Sequence, residues 1–142
     1  MSIWKKNFSI EELDYRARNT MVEWLDIKIV EIGDDYLKAS MPVDHRTHQP
    51  LGLLHGGASV VLAETVGSTA AAMAVGLGYY CLGLDINANH LRGARSGLVF
   101  GVARALHIGR TTHVWEIRIT DEDDKLVCIS RLTMAVMKAA ET

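Results

Sequence analysis

The stretch HQPLGLLHGGASVVLAETVGSTAAAMAVGLGYYCLGL, residues 48–84, decides how the chain is read. Its one formally charged side chain is Glu64, inside an apolar helical pattern that opens at His55-Gly56-Gly57. A carboxylate there must reach water, find a partner or do chemistry, because an isolated buried charge is too costly to keep. The helix is apolar all round and rich in glycine and alanine, unlike a surface helix with one polar face. A sheet curling around it is the arrangement expected to cover it.

On the N-terminal side, Ser9 with Glu12 three residues later forms a capping-box pattern, followed at helical spacing by Ile10, Leu13 and Ala17. A short helix is expected to run to about Arg18. Residues 27–42 read as a hairpin: Ile27 and Ile29 alternate with Lys28 and Val30, Gly33-Asp34-Asp35 turns the chain, and the second arm ends near Pro42. A loop, 43–54, then leads into the long helix. Beyond it, strand-like runs cover 79–87, 98–108, 112–120 and 126–138, with turns at Gly109-Arg110 and at the acidic segment 121–125. The solvated-turn reading of that acidic segment follows from its turn chemistry. Helix, two strands, long helix and about four strands make an α+β pattern in one domain, 1–142, without repeats or linkers.

Charged residues are 23% of the chain and the formal net charge is −2, which lacks the basic footprint of a nucleic-acid partner. Cys81 and Cys128 are far apart and outside any C-x-x-C spacing, as expected of a cytoplasmic protein with reduced thiols. Glu11 and Glu12 interrupt any signal-peptide apolar region after Ile10, so no secretion is implied. The uncharged run 65–84 is long enough to cross a bilayer, but its glycines, alanines and Ser68 leave few large apolar side chains and no Lys/Arg cluster flanks it. No membrane is expected. His45, His48 and His55 raise a zinc site, which is set aside because no H-x-x-x-H helix or nearby cysteine completes a ligand pattern. Ser59 and Ser68 lie outside a G-x-S-x-G elbow, which argues against a serine hydrolase.

Gly56 and Gly57 present unshielded N–H groups at the positive end of the helix dipole, a place for an oxygen that is becoming an anion. At 1.5 Å per residue the backbone of Glu64 stands about 12 Å further along the axis. If the amides and the carboxylate serve one carbonyl, they most simply come from two antiparallel helices in a dimer, packed through the small face around Gly67. Acyl transfer to water is the chemistry that needs both. Gln49 is suited to orient water or the carbonyl, His55 to add a hydrogen bond, and Ser68 follows Glu64 by one turn. The competing reading makes Glu64 a structural acid paired with Arg92, Arg95 or a histidine.

The segments MPVDHRTHQPLGLLHGGASVVLAETVGS, GLDINANHLR, LHIGR, VWEI and SRLT resemble the hotdog-fold acyl-CoA thioesterases over nearly the whole chain. Within that family they resemble the subgroup that hydrolyses 1,4-dihydroxy-2-naphthoyl-CoA in menaquinone synthesis. They also resemble its sister, which clears misloaded aryl carrier protein in enterobactin synthesis. The resemblance implies an antiparallel sheet wrapped around a long central helix, homodimers with a continuous sheet, and pairing of dimers into a homotetramer. It implies Glu64 as the catalytic carboxylate and Gly56 as the amide donor from the facing subunit. Gln49 and His55 would assist at the carbonyl, while Ser68 and Thr65 would position water or the aryl group. His90, Arg92, Gly109 and Arg110 would handle pantetheine and nucleotide. The motif departs from the H-F-P-G pattern of hotdog dehydratases, which disfavours dehydration. The expected activity is hydrolysis of acyl-CoA, with aromatic acyl groups and without metal or redox cofactor. The alternatives are a thioesterase for an acyl or aryl carrier protein and a non-catalytic acyl-CoA-binding hotdog protein.

Overall fold

A computed structural model describes residues 1–141. The chain forms α1 (Ile10–Ala17), α2 (Met21–Trp24), β1 (Lys28–Ile32), β2 (Tyr36–Pro42), α3 (Gly56–Ala74), β3 (Tyr79–His90), β4 (Leu98–Ile108), β5 (Thr112–Thr120) and β6 (Leu126–Lys138). The Ser9 capping box forms as its spacing predicts: Ser9 Oγ accepts from Glu12 N–H at 3.1 Å and the Glu12 carboxylate accepts from Ser9 N–H at 2.7 Å. Asn19, at φ 60°, turns the chain out of α1 after its C-cap, Arg18. Thr20 then caps α2, whose single turn is too short to carry a sequence period.

The six strands form one antiparallel sheet in the order β1-β2-β4-β5-β6-β3, with α3 against its inner face: this is the hotdog fold. The core joins Leu37 and Met41 of β2, Val99 of β4, Trp115, Ile117 and Ile119 of β5, and Leu132 and Met134 of β6 to Leu62, Val66, Ala70 and Met73 of α3. Each large side chain buried this way contributes roughly 1.5–3 kcal/mol. One expectation needs correction. Gly67 does not offer α3 to another helix, because it is buried against its own sheet and a Cβ there would meet Leu132 Cδ2 at 2.7 Å. The run 65–84 is divided between α3 and β3; the apolar window of α3, long enough by composition to cross a membrane, is 50% buried within the fold. Strand β3 also outruns its expected end, reaching His90 through unbroken pairing with β6 after a bulge between Gly83 and Asp85.

Candidate active site

Loop 43–54 is braced before it reaches α3. The Asp44 carboxylate accepts from Arg46 at 2.7 Å, and that guanidinium holds its pKa down at about 2. The buried Thr47 hydroxyl donates to the Pro42 carbonyl at 2.8 Å, while His55 N–H donates to Thr47 O at 2.8 Å. Within this loop the Gln49 side-chain oxygen accepts from Leu51 N–H, which leaves the carboxamide NH₂ as the free end. His55 is the N-cap of α3, its Nδ1 accepting from Gly57 N–H at 2.7 Å. When the ring is neutral, that bond places its proton on Nε2.

The amide pair expected at the helix start is thereby reduced to one. Gly57 N–H is taken by His55, and Ala58 and Ser59 both donate to the His55 carbonyl. Gly56 N–H alone in the first turn has no partner among the described residues. The His90 ring closes over it, so that a Cβ at Gly56 would stand 2.8 Å from His90 Nε2.

Glu64 is half-buried and makes no side-chain hydrogen bond or ion pair among the described residues; neither Arg92, Arg95 nor a histidine pairs with it. Its carboxylate lies against Gly83 of β3. Two clefts are lined by residues that follow and precede it on α3, and Glu64 itself lines neither. One, of about 450 Å³, is lined by Thr65, Ser68 and Thr69 of α3, by Cys81, and by Phe8, Leu13 and Val22 from the N-terminal segment. The other, of about 390 Å³, is lined by Gln49, Gly56 and Ser59 with His90, Arg92 and Val127. Glu64 falls between Ser59 and Thr65 on α3, and its contact Gly83 falls between Cys81 and His90 on β3. Ser68 Oγ reaches Met134 Sδ at 3.7 Å, and the Thr65 carbonyl accepts from the Thr69 hydroxyl at 2.7 Å.

The chain does not bring all the expected substrate-binding residues together. His90 and Arg92 share the second cleft, but Gly109 and Arg110 form the β4–β5 turn, whose neighbour Thr112 pairs with Ala135, itself opposite Leu82. From Leu82 to His90 a strand advances roughly 26 Å. The imidazoles considered for zinc point to separate tasks: His48 Nε2 is 2.9 Å from the Arg95 carbonyl and His55 caps α3. Sequence reasoning passed over Gly83 and the N-terminal wall of the first cleft. An isolated glycine inside a strand pattern was the available signal for the first; nothing local marked the second.

A family model described as Thioesterase superfamily matches residues 51–128. The chain is 52% identical over 142 residues to the 1,4-dihydroxy-2-naphthoyl-CoA hydrolase of Escherichia coli, covering 95% of this chain and 99% of that protein. It is 49% identical over 135 residues to the proofreading thioesterase EntH of Cronobacter turicensis, covering 95% and 98%. The crystal structure of a Haemophilus influenzae thioesterase superposes with a TM-score of 0.96 at 50% identity, over 98% of this chain and 97% of that one.

Proposed function

The chain belongs to the thioesterase superfamily and is a thioester hydrolase; from that premise we propose that it cleaves aromatic acyl-CoA thioesters, 1,4-dihydroxy-2-naphthoyl-CoA among them, to the free acid and CoA. The observation that carries this reading is the Glu64 carboxylate, half-buried on α3 against Gly83 and without a side-chain hydrogen bond or ion pair among the described residues. Such a carboxylate either takes a proton from attacking water or adds to the carbonyl itself. On both routes the thioester carbon becomes tetrahedral, the C–S bond breaks, and the thiolate leaves to be protonated as CoA; where Glu64 itself adds, water then hydrolyses the resulting mixed anhydride, releasing the free acid and restoring the carboxylate. The oxyanion would rest at the free N–H of Gly56, where the helix dipole also favours negative charge. The Gln49 NH₂ and the His55 Nε2–H, whose opposite ends are held by backbone amides, would be the donors that assist there. Thr65 and Ser68, in the wall of the first cleft, would position water or the aryl ring.

The reading includes assembly. Strand β3 is a sheet edge of 12 residues carrying exposed Tyr79, Tyr80, Leu82 and Leu84, a surface that invites pairing with another strand. Pairing β3 with its copy about a two-fold axis would make a homodimer with a continuous sheet, and two such dimers a homotetramer. The Gly56–His90 end of one protomer would then approach the Glu64 of its partner. Gly109 and Arg110 would join His90 and Arg92 around CoA from the second chain.

A carrier-protein thioesterase using the same residues is the second reading, favoured by the near-equal identity to the EntH relative. Comparing kcat/KM for aryl-CoA with that for the matching aryl-carrier-protein thioester separates the two. The decisive experiment on Glu64 measures thiol release from 1,4-dihydroxy-2-naphthoyl-CoA and benzoyl-CoA. Glu64→Gln is expected to lower kcat by at least ~10²-fold, the scale of a positioned base, with an unchanged circular dichroism spectrum. Full turnover by the folded variant would return Glu64 to a structural role.

A further inference from the structure

We infer that Gly83 is a positioning residue for the reaction, the seat against which the Glu64 carboxylate is aimed. The inference rests on the reading of Glu64 proposed above.

Strand β3 runs beside α3, with Cys81, Ile86 and Ala88 partly buried and Gly83 and His90 exposed in the single chain but meeting α3; Cys81 Sγ is 3.7 Å from the Ala71 carbonyl and His90 covers Gly56. Between those contacts, Gly83 meets Glu64. A Cβ at Gly83 would stand 2.7 Å from Glu64 Oε1, inside any tolerable separation, while its next neighbours, Glu64 Cδ at 3.8 Å and Met134 Sδ at 3.9 Å, are ordinary contacts. Gly83 is also absent from the glycines with positive φ, so its backbone conformation is open to any residue. Neither backbone geometry nor core packing therefore asks for glycine here. The carboxylate oxygen is the one atom a side chain would displace. A bulge follows immediately, between Gly83 and Asp85, the kind of irregularity that re-aims side chains beside active sites.

The chemical consequence follows from the absence of other restraints. No hydrogen bond or ion pair within the described residues holds the Glu64 carboxylate, so van der Waals contact with the bare Gly83 backbone fixes how deep it lies. A methyl group there would push the oxygen outward by several tenths of an ångström, since the end of a flexible side chain yields before a strand does. Misplacement of a reacting group by about 1 Å can cost ~10²-fold in rate. Stability should move the other way, because glycine in a strand interior is unfavourable relative to a residue with a side chain.

The test compares Gly83→Ala with Gly76→Ala and Glu64→Gln under one thioesterase assay. Gly76 also lacks a positive φ, and a Cβ there meets nothing within 4 Å, which makes it the control for a generic glycine effect. Gly83→Ala is expected to lose about tenfold or more in kcat, with KM within about threefold of wild type and a Tm that is equal or higher. Gly76→Ala should keep its kcat. A kcat for Gly83→Ala within about twofold of wild type, with Glu64→Gln inactive, overturns this inference alone. Turnover retained by Glu64→Gln overturns the proposed role of Glu64 and this inference with it.

Discussion

His113 and Trp115 alternate into the core from β5 with ring nitrogens, Nδ1 and Nε1, that are buried and unpartnered among the described residues. His113 is 1% exposed, and burial first, then the nearby His107, lowers its pKa below the ordinary value. The unfolded chain therefore takes up a proton at His113 near pH 6.5 while the folded chain still resists it. With more protons bound to the unfolded state, stability falls as pH falls from that point toward the lower folded-state pKa. A series of melting curves should show Tm declining below about pH 6.5, and His113→Leu should flatten that part of the decline. An unchanged slope in the variant would assign it to other groups. At the same scale, the Glu64 carboxylate lies against a glycine, with no ion pair among the described residues.

Among the elements, the largely exposed N-terminal helices supply a wall of the first cleft. No residue of α1 or α2 is fully buried, but Phe8, Leu13 and Val22 face Thr65, Ser68 and Met73 across about 450 Å³. Arg16, which also lines the cleft, lies 4.3 Å above the Phe8 ring. If the acyl group occupies this cleft, Phe8 offers it an aromatic face worth about 1 kcal/mol, or about fivefold in affinity. Phe8→Ala should then raise KM for an aryl-CoA by about that factor and change KM for a short aliphatic acyl-CoA much less. Equal changes for both substrates would move the aryl group elsewhere. Helix α3 contributes at both ends: its N-terminus carries the free Gly56 amide, and the Met73 carbonyl near its C-terminus accepts from Lys5 and Lys6 N–H at 2.8 and 3.0 Å. The N-terminal segment that walls the cleft is thus tied to the helix that forms its floor.

For the whole molecule the question is whether one chain is enough. Gly56 rests under His90 and Glu64 against Gly83, so the two groups proposed to act on one carbonyl lie at separate points along β3. A two-fold dimer through the β3 edge would give two sites, each with an amide from one chain and a carboxylate from the other. Glu64→Ala and Gly56→Val should each be inactive, the second because its side chain enters the space of the His90 ring. Mixing and refolding them should restore part of the activity, since the heterodimer has one site with both lesions and one with neither. Persistent inactivity despite confirmed subunit exchange would place both groups in a single chain.

The order of elements, the buried central helix and the isolation of Glu64 were legible in the sequence because their signals are local: a capping box, turn residues, the apolar period and one charge in an uncharged run. The short α2 escaped because a single turn has no period. What only the tertiary structure decided concerns residues far apart in the chain. It set Gly67 against Leu132 and Ile117, left Gly56 as the one amide of the helix start without a partner among the described residues, placed Glu64 on Gly83, and held Arg110 and Arg92 at opposite ends of the sheet. These facts depend on strand order and register. A slip of one residue in register turns every side chain of a strand to the other face, and no local pattern states which strand will lie beneath which turn of the helix.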